Sequence, residues 1–249
     1  MRNALSLHSI RSVLARLEET IIFGLIERAQ FKQNRIIYKP GGVGRELGGE
    51  SLMGFLLHEC ERSHAKVRRY TSPDEHPFFP SLPDPILPPL HFVSPLKPNG
   101  INLNQRIRSE YEGKIVPLIC QAGDDMQWGS SAVNDVNLLQ AMSKRIHYGK
   151  FVAEAKYRAS GRALRPLILA GDRHGLLAAV TDGAVEEQVL RRVEAKAAAF
   201  GREFDAGRGR YKIRPRVVRW VYARWIIPLN KEVQVQYLLA RASGGGPAA

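Results

Sequence analysis

The sequence predicts an all-α fold, a single-domain bundle of helices broken by one long proline-rich connection. Apolar residues recur at three- and four-residue spacing through most of the chain, the period of a helix with one buried stripe. The alternating β-branched runs that announce strands are missing almost everywhere,. Nine of the fifteen prolines fall between residues 73 and 98, where their missing amide hydrogens rule out an element.

The elements follow in order. Leu7, Ile10, Leu14, Leu17, Ile21, Ile22, Leu25 and Ile26 place a first helix over Leu5 to Gln30, with Ser6 as its N-cap,. Gly41 to Gly49 is a flexible connection; its GGVGRELGG has neither a preceding strand nor the GxGxxG spacing of a nucleotide loop,. Ser51 to Arg69 is a second helix. In the proline-rich stretch, Phe78, Phe79, Ile86 and Leu87 are expected to pack on the body, so it is not a domain boundary. Helices are then expected over Asn104 to Cys120, Ser130 to Tyr157, Arg162 to Ala170, Arg173 to Thr181, Val185 to Phe200 and Pro215 to Ala242. Gly129-Ser130 is the expected cap of one, and Pro215 sits in a first turn where its missing amide does no harm. Residues 1–242 form the expected domain, and 243–249, SGGGPAA, a disordered low-complexity tail,.

At 249 residues and 44% apolar content the chain can bury a sizeable core,. Its longest apolar runs, Ala163 to Ala170 and Val217 to Leu229, are cut by Arg or Pro, well short of a membrane span,. The first ten residues lack the pattern of a secretory signal or an organelle transit peptide, so the expected location is cytoplasmic, or the sequence is a trimmed mature form,. Cys60 and Cys120 lack ligand spacing and are expected to be buried, reduced thiols,. HECERSH (58–64) is no zinc helix, because its histidines are six apart where chelation on one face needs four,. The net charge is +13, and between Gly201 and Arg224 eight Lys/Arg face Glu203 and Asp205. No RNP strand, zinc finger or basic zipper accompanies that excess, so it reads as a solvated basic surface and not as a nucleic-acid site.

The chemistry-bearing stretch is SKRIHYGKFVAEAKY, residues 143–157. Arg145 and Lys156 are eleven residues apart, about three turns and 16 Å on one helix face. Between them Gly149 and Val152 are small enough to leave room for a compact polyanion. Arg11 stands beside the apolar stripe of the first helix near Ala15. Glu186 opens a helix, where a carboxylate also serves as dipole partner. Asn230 and Gln234 are one turn apart in an apolar neighbourhood and must find partners in the protein or on a ligand. No nucleophile–base pair, metal cluster or P-loop stands out, so such a site would hold a dianion and stabilise developing charge.

On these residues the chain resembles the eukaryotic chorismate mutases, the all-helical class of plants and fungi. The matching blocks are LSLHSIR (5–11), ETIIFGLIERAQ (19–30), RRYTSPDEHPFFP (68–80), AMSKRIHYGKFVAEAKY (141–157), AVEEQVL (184–190) and PLNKEVQVQYLL (228–239). The wording of the proline loop and of KEVQVQYLL is closer to the plant form. The resemblance implies the Claisen rearrangement of chorismate to prephenate in phenylalanine and tyrosine biosynthesis, without cofactor or metal. It implies that Arg11 and Arg145 hold the substrate carboxylates, that Lys156 and Gln234 donate to the ether oxygen, and that Glu186 receives the substrate hydroxyl. Asn230, in place of the usual threonine, and Asp182, where some members have asparagine, fall at substrate-binding positions. It further implies a homodimer with an effector site for tryptophan, tyrosine or phenylalanine, matched by Arg68, Arg69, Gly129 and Ser130. Gln127 and Val133 replace polar partners there, and Arg214 replaces a residue of the regulatory switch. The plastid stroma is the alternative compartment if a transit peptide precedes this sequence. The alternative function is a catalytically impaired all-helical homologue that binds aromatic amino acids or acts as a scaffold.

Overall fold

The computed structural model describes residues 7–91, 93–203 and 210–243. The expected Ser6 cap, Asp205 and Arg208 of the basic stretch, and the tail from residue 244 lie outside them. The described residues form ten α-helices and no β-strand.

Helix α1 (Leu7–Arg28) buries Ile10, Ile21, Ile22, Leu25 and Ile26, the stripe its spacing predicts. It lies along α5 (Trp128–His147). Gly24 permits the close approach, since a Cβ there would stand 3.0 Å from Leu138 Cδ1. The glycine-rich connection is a closed loop around a 3-10 turn, Arg45–Leu47, with the Gly41 amide donating to the Glu50 carbonyl at 3.1 Å. Helix α2 (Leu52–Lys66) starts on Ser51, whose Oγ accepts from the Gly54 amide at 3.1 Å. It stops short of the expected Arg69 because Arg68 is left-handed, φ 67°, and turns the chain out of the helix.

Helices α3 (Asn104–Glu110) and α4 (Val116–Ile119) are joined by a π turn, Tyr111–Ile115. A second π turn, Tyr222–Ile226, joins α9 (Pro215–Val221) to α10 (Ile227–Ser243). Both have the same cause. Pro117 and Pro228 each follow their turn by two residues; a proline ring clashes with the carbonyl four residues back, and widening that turn relieves the clash.

The single helix expected from Ser130 to Tyr157 is two. Helix α5 ends at His147, and after Tyr148 a new helix, α6 (Gly149–Leu169), begins. Helix α5 starts at Trp128, so Gly129 and Ser130 sit in its first turn and cap nothing. Helix α6 takes in the separately expected segment 162–170 and bends at Ser160, φ −136°. Helices α7 (Arg173–Val180) and α8 (Gly183–Phe200) start on aspartate caps: Asp172 accepts from the Gly175 amide at 2.8 Å, and Asp182 from the Val185 amide at 3.1 Å.

The proline-rich stretch is held by a buried carboxylate as well as by apolar residues. The Glu61 carboxylate accepts the Phe78 amide at 2.9 Å and the Phe79 amide at 3.1 Å. Phe78 is buried and Phe79 packs beside the core, but Ile86 and Leu87 face solvent at 73% and 39% exposure. The expectation that all four pack holds for Phe78 and Phe79 and fails for Ile86 and Leu87. Cys120 is buried and Cys60 only half-buried, and both are free thiols; burial pushes the Cys120 thiol up to about 12.

Two apolar clusters make the core. The larger holds the second half of α1, much of α5, and Leu229 and Val233 of α10. The smaller holds Ile10 of α1, Phe151 and Ala153 of α6, and Val235 and Leu238 of α10. Helices α1 and α10 and the α5–α6 junction all pass from one cluster to the other. The seam between the clusters is where polar side chains can be buried together.

Candidate active site

A cavity of about 220 Å³ opens at that seam. Arg11, Arg145, Lys156, Asp182, Glu186, Asn230 and Gln234 all line it, so seven residues chosen across 224 positions meet in one place. The expected effector residues Arg68, Arg69, Gln127, Gly129 and Ser130 do not line it.

Arg145 and Lys156 reach the cavity from different helices, on either side of the Tyr148 break. Of the small residues between them, Val152 lines the cavity and Gly149 does not. A Cβ at Gly149 would stand 2.6 Å from the Asn230 carbonyl oxygen. Gly149 is therefore the crossing point of α6 and α10, and the room it leaves is filled by α10 backbone.

The Arg145 side chain is buried, its Nε has no partner, and its guanidinium makes no ion pair among the described residues. Burial draws its pKa below the ordinary arginine value, Tyr222 and Glu18 pulling the other way. Lys156 Nζ donates to the Val180 carbonyl at the end of α7. Burial lowers its pKa as well, against the nearby Asp182 and Glu186 carboxylates. Glu186 is gripped by Lys231, Nζ to Oε1 2.9 Å. Gln234 is buried; its Nε2 donates to Asn230 Oδ1 at 2.9 Å and its Oε1 has no partner. Arg11 is exposed at the rim.

Sequence reasoning missed three charged lining residues. Glu18 is fully buried and takes a two-pronged bond from Arg192, at 2.8 and 2.6 Å; Lys231 is the third. Glu18 stands one turn beyond Leu14 on the apolar face of α1, and a carboxylate there was the available signal. Arg192 and Lys231 look like surface residues of their own helices, and only the packing of α8 and α10 against α1 reveals them.

The lining carries five cations, Arg11, Arg145, Lys156, Arg192 and Lys231, against Glu18, Asp182 and Glu186. The excess of two positive charges suits a dianion. Among the described residues the lining includes no Ser, Thr, Cys or His, so hydroxyl, thiol and imidazole chemistry have no agent there. The fold and cavity together define an all-helical binder of a small dianion that acts by electrostatics and positioning.

Residues 129–235 match the family model "Chorismate mutase type II". The chain is 47% identical to chorismate mutase 1, chloroplastic, of Petunia hybrida, over 95% of this chain and 76% of that protein. It is 46% identical to the chorismate mutase of Schizosaccharomyces pombe, over 95% of this chain and 96% of that one. The crystal structure of AtCM1 with tyrosine bound in its allosteric site superposes with a TM-score of 0.90 at 45% identity, covering 97% and 98% of the two chains. The chain belongs to the chorismate mutase family, isomerases that convert chorismate to prephenate.

Proposed function

We propose that the cavity binds chorismate with its carboxylates on Arg11 and Arg145, its ether oxygen toward Lys156 and Gln234, and its hydroxyl on Glu186. Arg145 carries the reading. A buried guanidinium without a counter-ion is unfavourable by several kcal/mol, and a carboxylate entering the cavity supplies the acceptor that Nε lacks. The net positive lining favours entry of the dianion.

The rearrangement needs no proton transfer. As the carbon–oxygen bond breaks, negative charge grows on the ether oxygen, and donors fixed beside it gain strength in the transition state over the ground state. Lys156 and Gln234 are available for that work: one now rests on a backbone carbonyl, the other on Asn230. Asp182 caps the helix that carries Glu186 and faces Lys156. Loss of chorismate absorbance tests the assignment. Arg145→Ala and Lys156→Ala should each lower kcat/KM on the order of a hundredfold or more; wild-type rates in both variants sink it.

An effector site for aromatic amino acids, shared by two copies of the chain, is a second part of the proposal. Arg69 bonds Gln140 through Nη1 at 2.7 Å, ten residues along α5 from Ser130, about 15 Å. One amino acid cannot touch both groups within one chain, so Arg68 and Arg69 of one copy would meet Gln127, Gly129 and Ser130 of another. The tyrosine in the allosteric site of AtCM1 supports this reading. Sedimentation equilibrium should give a dimer, and titration with tryptophan, tyrosine and phenylalanine should shift the half-saturating chorismate concentration. Unchanged kinetics with all three would exclude regulation.

No helix of the described residues is long and apolar enough to cross a membrane. A cytoplasmic location is proposed, with the plastid stroma as the alternative suggested by the chloroplastic Petunia relative. Fractionation of the native protein distinguishes them.

A further inference from the structure

We infer that Asn230 is a positioning residue that sets the orientation of the Gln234 amide, and not a substrate contact. The inference rests on the proposed role of Gln234 as a donor to the ether oxygen.

Three hydrogen bonds link the end of α5 to Gln234. Asn230 Nδ2 donates to the Arg145 carbonyl at 3.2 Å and to the Ile146 carbonyl at 3.0 Å. Both belong to the last turn of α5, where helix carbonyls run short of amide partners. An asparagine amide has two N–H groups, so both are spent on backbone. Flipping the amide would point its oxygen at two carbonyl oxygens, which fixes Oδ1 on the opposite side, toward Gln234. There it accepts from Gln234 Nε2 at 2.9 Å. The same logic then applies one turn on. If Gln234 were flipped, its Oε1 would face Asn230 Oδ1, oxygen to oxygen. The end of α5 thus dictates, through Asn230, which end of the Gln234 amide lies where, and one Nε2–H remains for a ligand.

The relay is held mechanically as well. Asn230 Nδ2 would be 3.1 Å from a Cβ at Gly149, so the side chain is wedged between the start of α6 and the end of α5. With both donors spent on the end of α5 and its oxygen on Gln234, Asn230 offers a carboxylate nothing to bind.

A double-mutant cycle in the chorismate assay tests this. Gln234→Ala should lower kcat on the order of a hundredfold. Asn230→Ala should lower kcat about tenfold with KM within about twofold, as expected for a misaimed donor. The double variant should be no slower than Gln234→Ala alone, because nothing is left to position. Multiplicative losses, or a KM effect at unchanged kcat, would overturn the inference while leaving the role of Gln234 standing. A silent Gln234→Ala would overturn both, and Arg145→Ala and Lys156→Ala would still report separately on the cavity.

A second measurement does not depend on how well Asn230→Ala folds, since it reads only where activity changes with pH. In Gln234→Glu the rate should fall as pH rises and the donor proton is lost. The protonated carboxyl has a single O–H, for which Asn230 Oδ1 and the ether oxygen compete; as an acceptor facing it, Asn230 Oδ1 still favours the protonated form and delays its loss to higher pH. Adding Asn230→Ala should move the fall lower, by about one pH unit; an unmoved profile counts against the relay.

Discussion

One added methyl group separates the two accounts of Gly149. As the floor of a binding site, the position would accept alanine at the expense of substrate affinity alone. The structure puts its Cβ 2.6 Å from the Asn230 carbonyl oxygen, where ordinary contact begins at 3.4 Å. Gly149→Ala must therefore push α6 and α10 apart by about 0.8 Å at their crossing, against a backbone atom that cannot rotate away. Overpacking of this kind costs about 1–3 kcal/mol, partly offset by the ~1 kcal/mol that alanine gains over glycine in a helix. The net expectation is a loss of up to about 2 kcal/mol in urea unfolding. Activity should suffer more. Lys156 lies two turns along α6 and Gln234 one turn along α10 from the crossing, so both donors move relative to the ether oxygen, and misplacement on the order of 1 Å can cost about a hundredfold. The chorismate assay should show kcat reduced about 10- to 100-fold with KM little changed. A variant with wild-type stability and kcat but a raised KM would refute the crossing argument.

Three further outcomes follow from the packing. Glu61→Gln replaces the buried carboxylate that grips the Phe78 and Phe79 amides; stability should fall by about 2 kcal/mol, and limited proteolysis within residues 80–95 should quicken, whereas unchanged cleavage would mean that the loop is anchored elsewhere. His147 is buried neutral, bonded to the Ser143 carbonyl and the Leu103 amide, and burial pushes its pKa down to about 4. Between pH 6.5 and 4 the unfolded chain binds a proton that the folded protein refuses, so stability should fall as pH drops through that window, by about 3 kcal/mol from this group. Urea midpoints of His147→Gln should be flatter over that window, and parallel curves would contradict the assignment. Asp135→Asn leaves Arg28 buried beside a neutral partner at the site of their 2.7 Å ion pair. A loss of about 3–5 kcal/mol is expected, and calorimetry showing less than 1 kcal/mol would place the charge elsewhere in the network with Tyr38 and Tyr111.

What the sequence determined by itself is local. A period of three to four residues is a property of neighbouring side chains, and so α1, α2, α7 and α8 were legible to within a few residues. The break expected between Tyr157 and Arg162 is only a bend at Ser160 within α6. The residue types at Arg11, Arg145, Lys156, Glu186 and Gln234 were also sufficient to suggest dianion chemistry, and the resemblance supplied its name. Tertiary structure decided the rest, because the deciding contacts join residues far apart in the chain. Glu18 meets Arg192 across 174 positions, Asn230 meets the end of α5 across 85, and Gly149 is read correctly only when α10 lies against it. The stretch from Ser143 to Tyr157 shows the division most plainly. Its two cations do face one cavity, but from two helices broken at Tyr148, and the glycine between them serves helix packing. Helical spacing fixes which way a side chain points from its own axis; which other backbone fills the space in front of it depends on the packing of the whole fold.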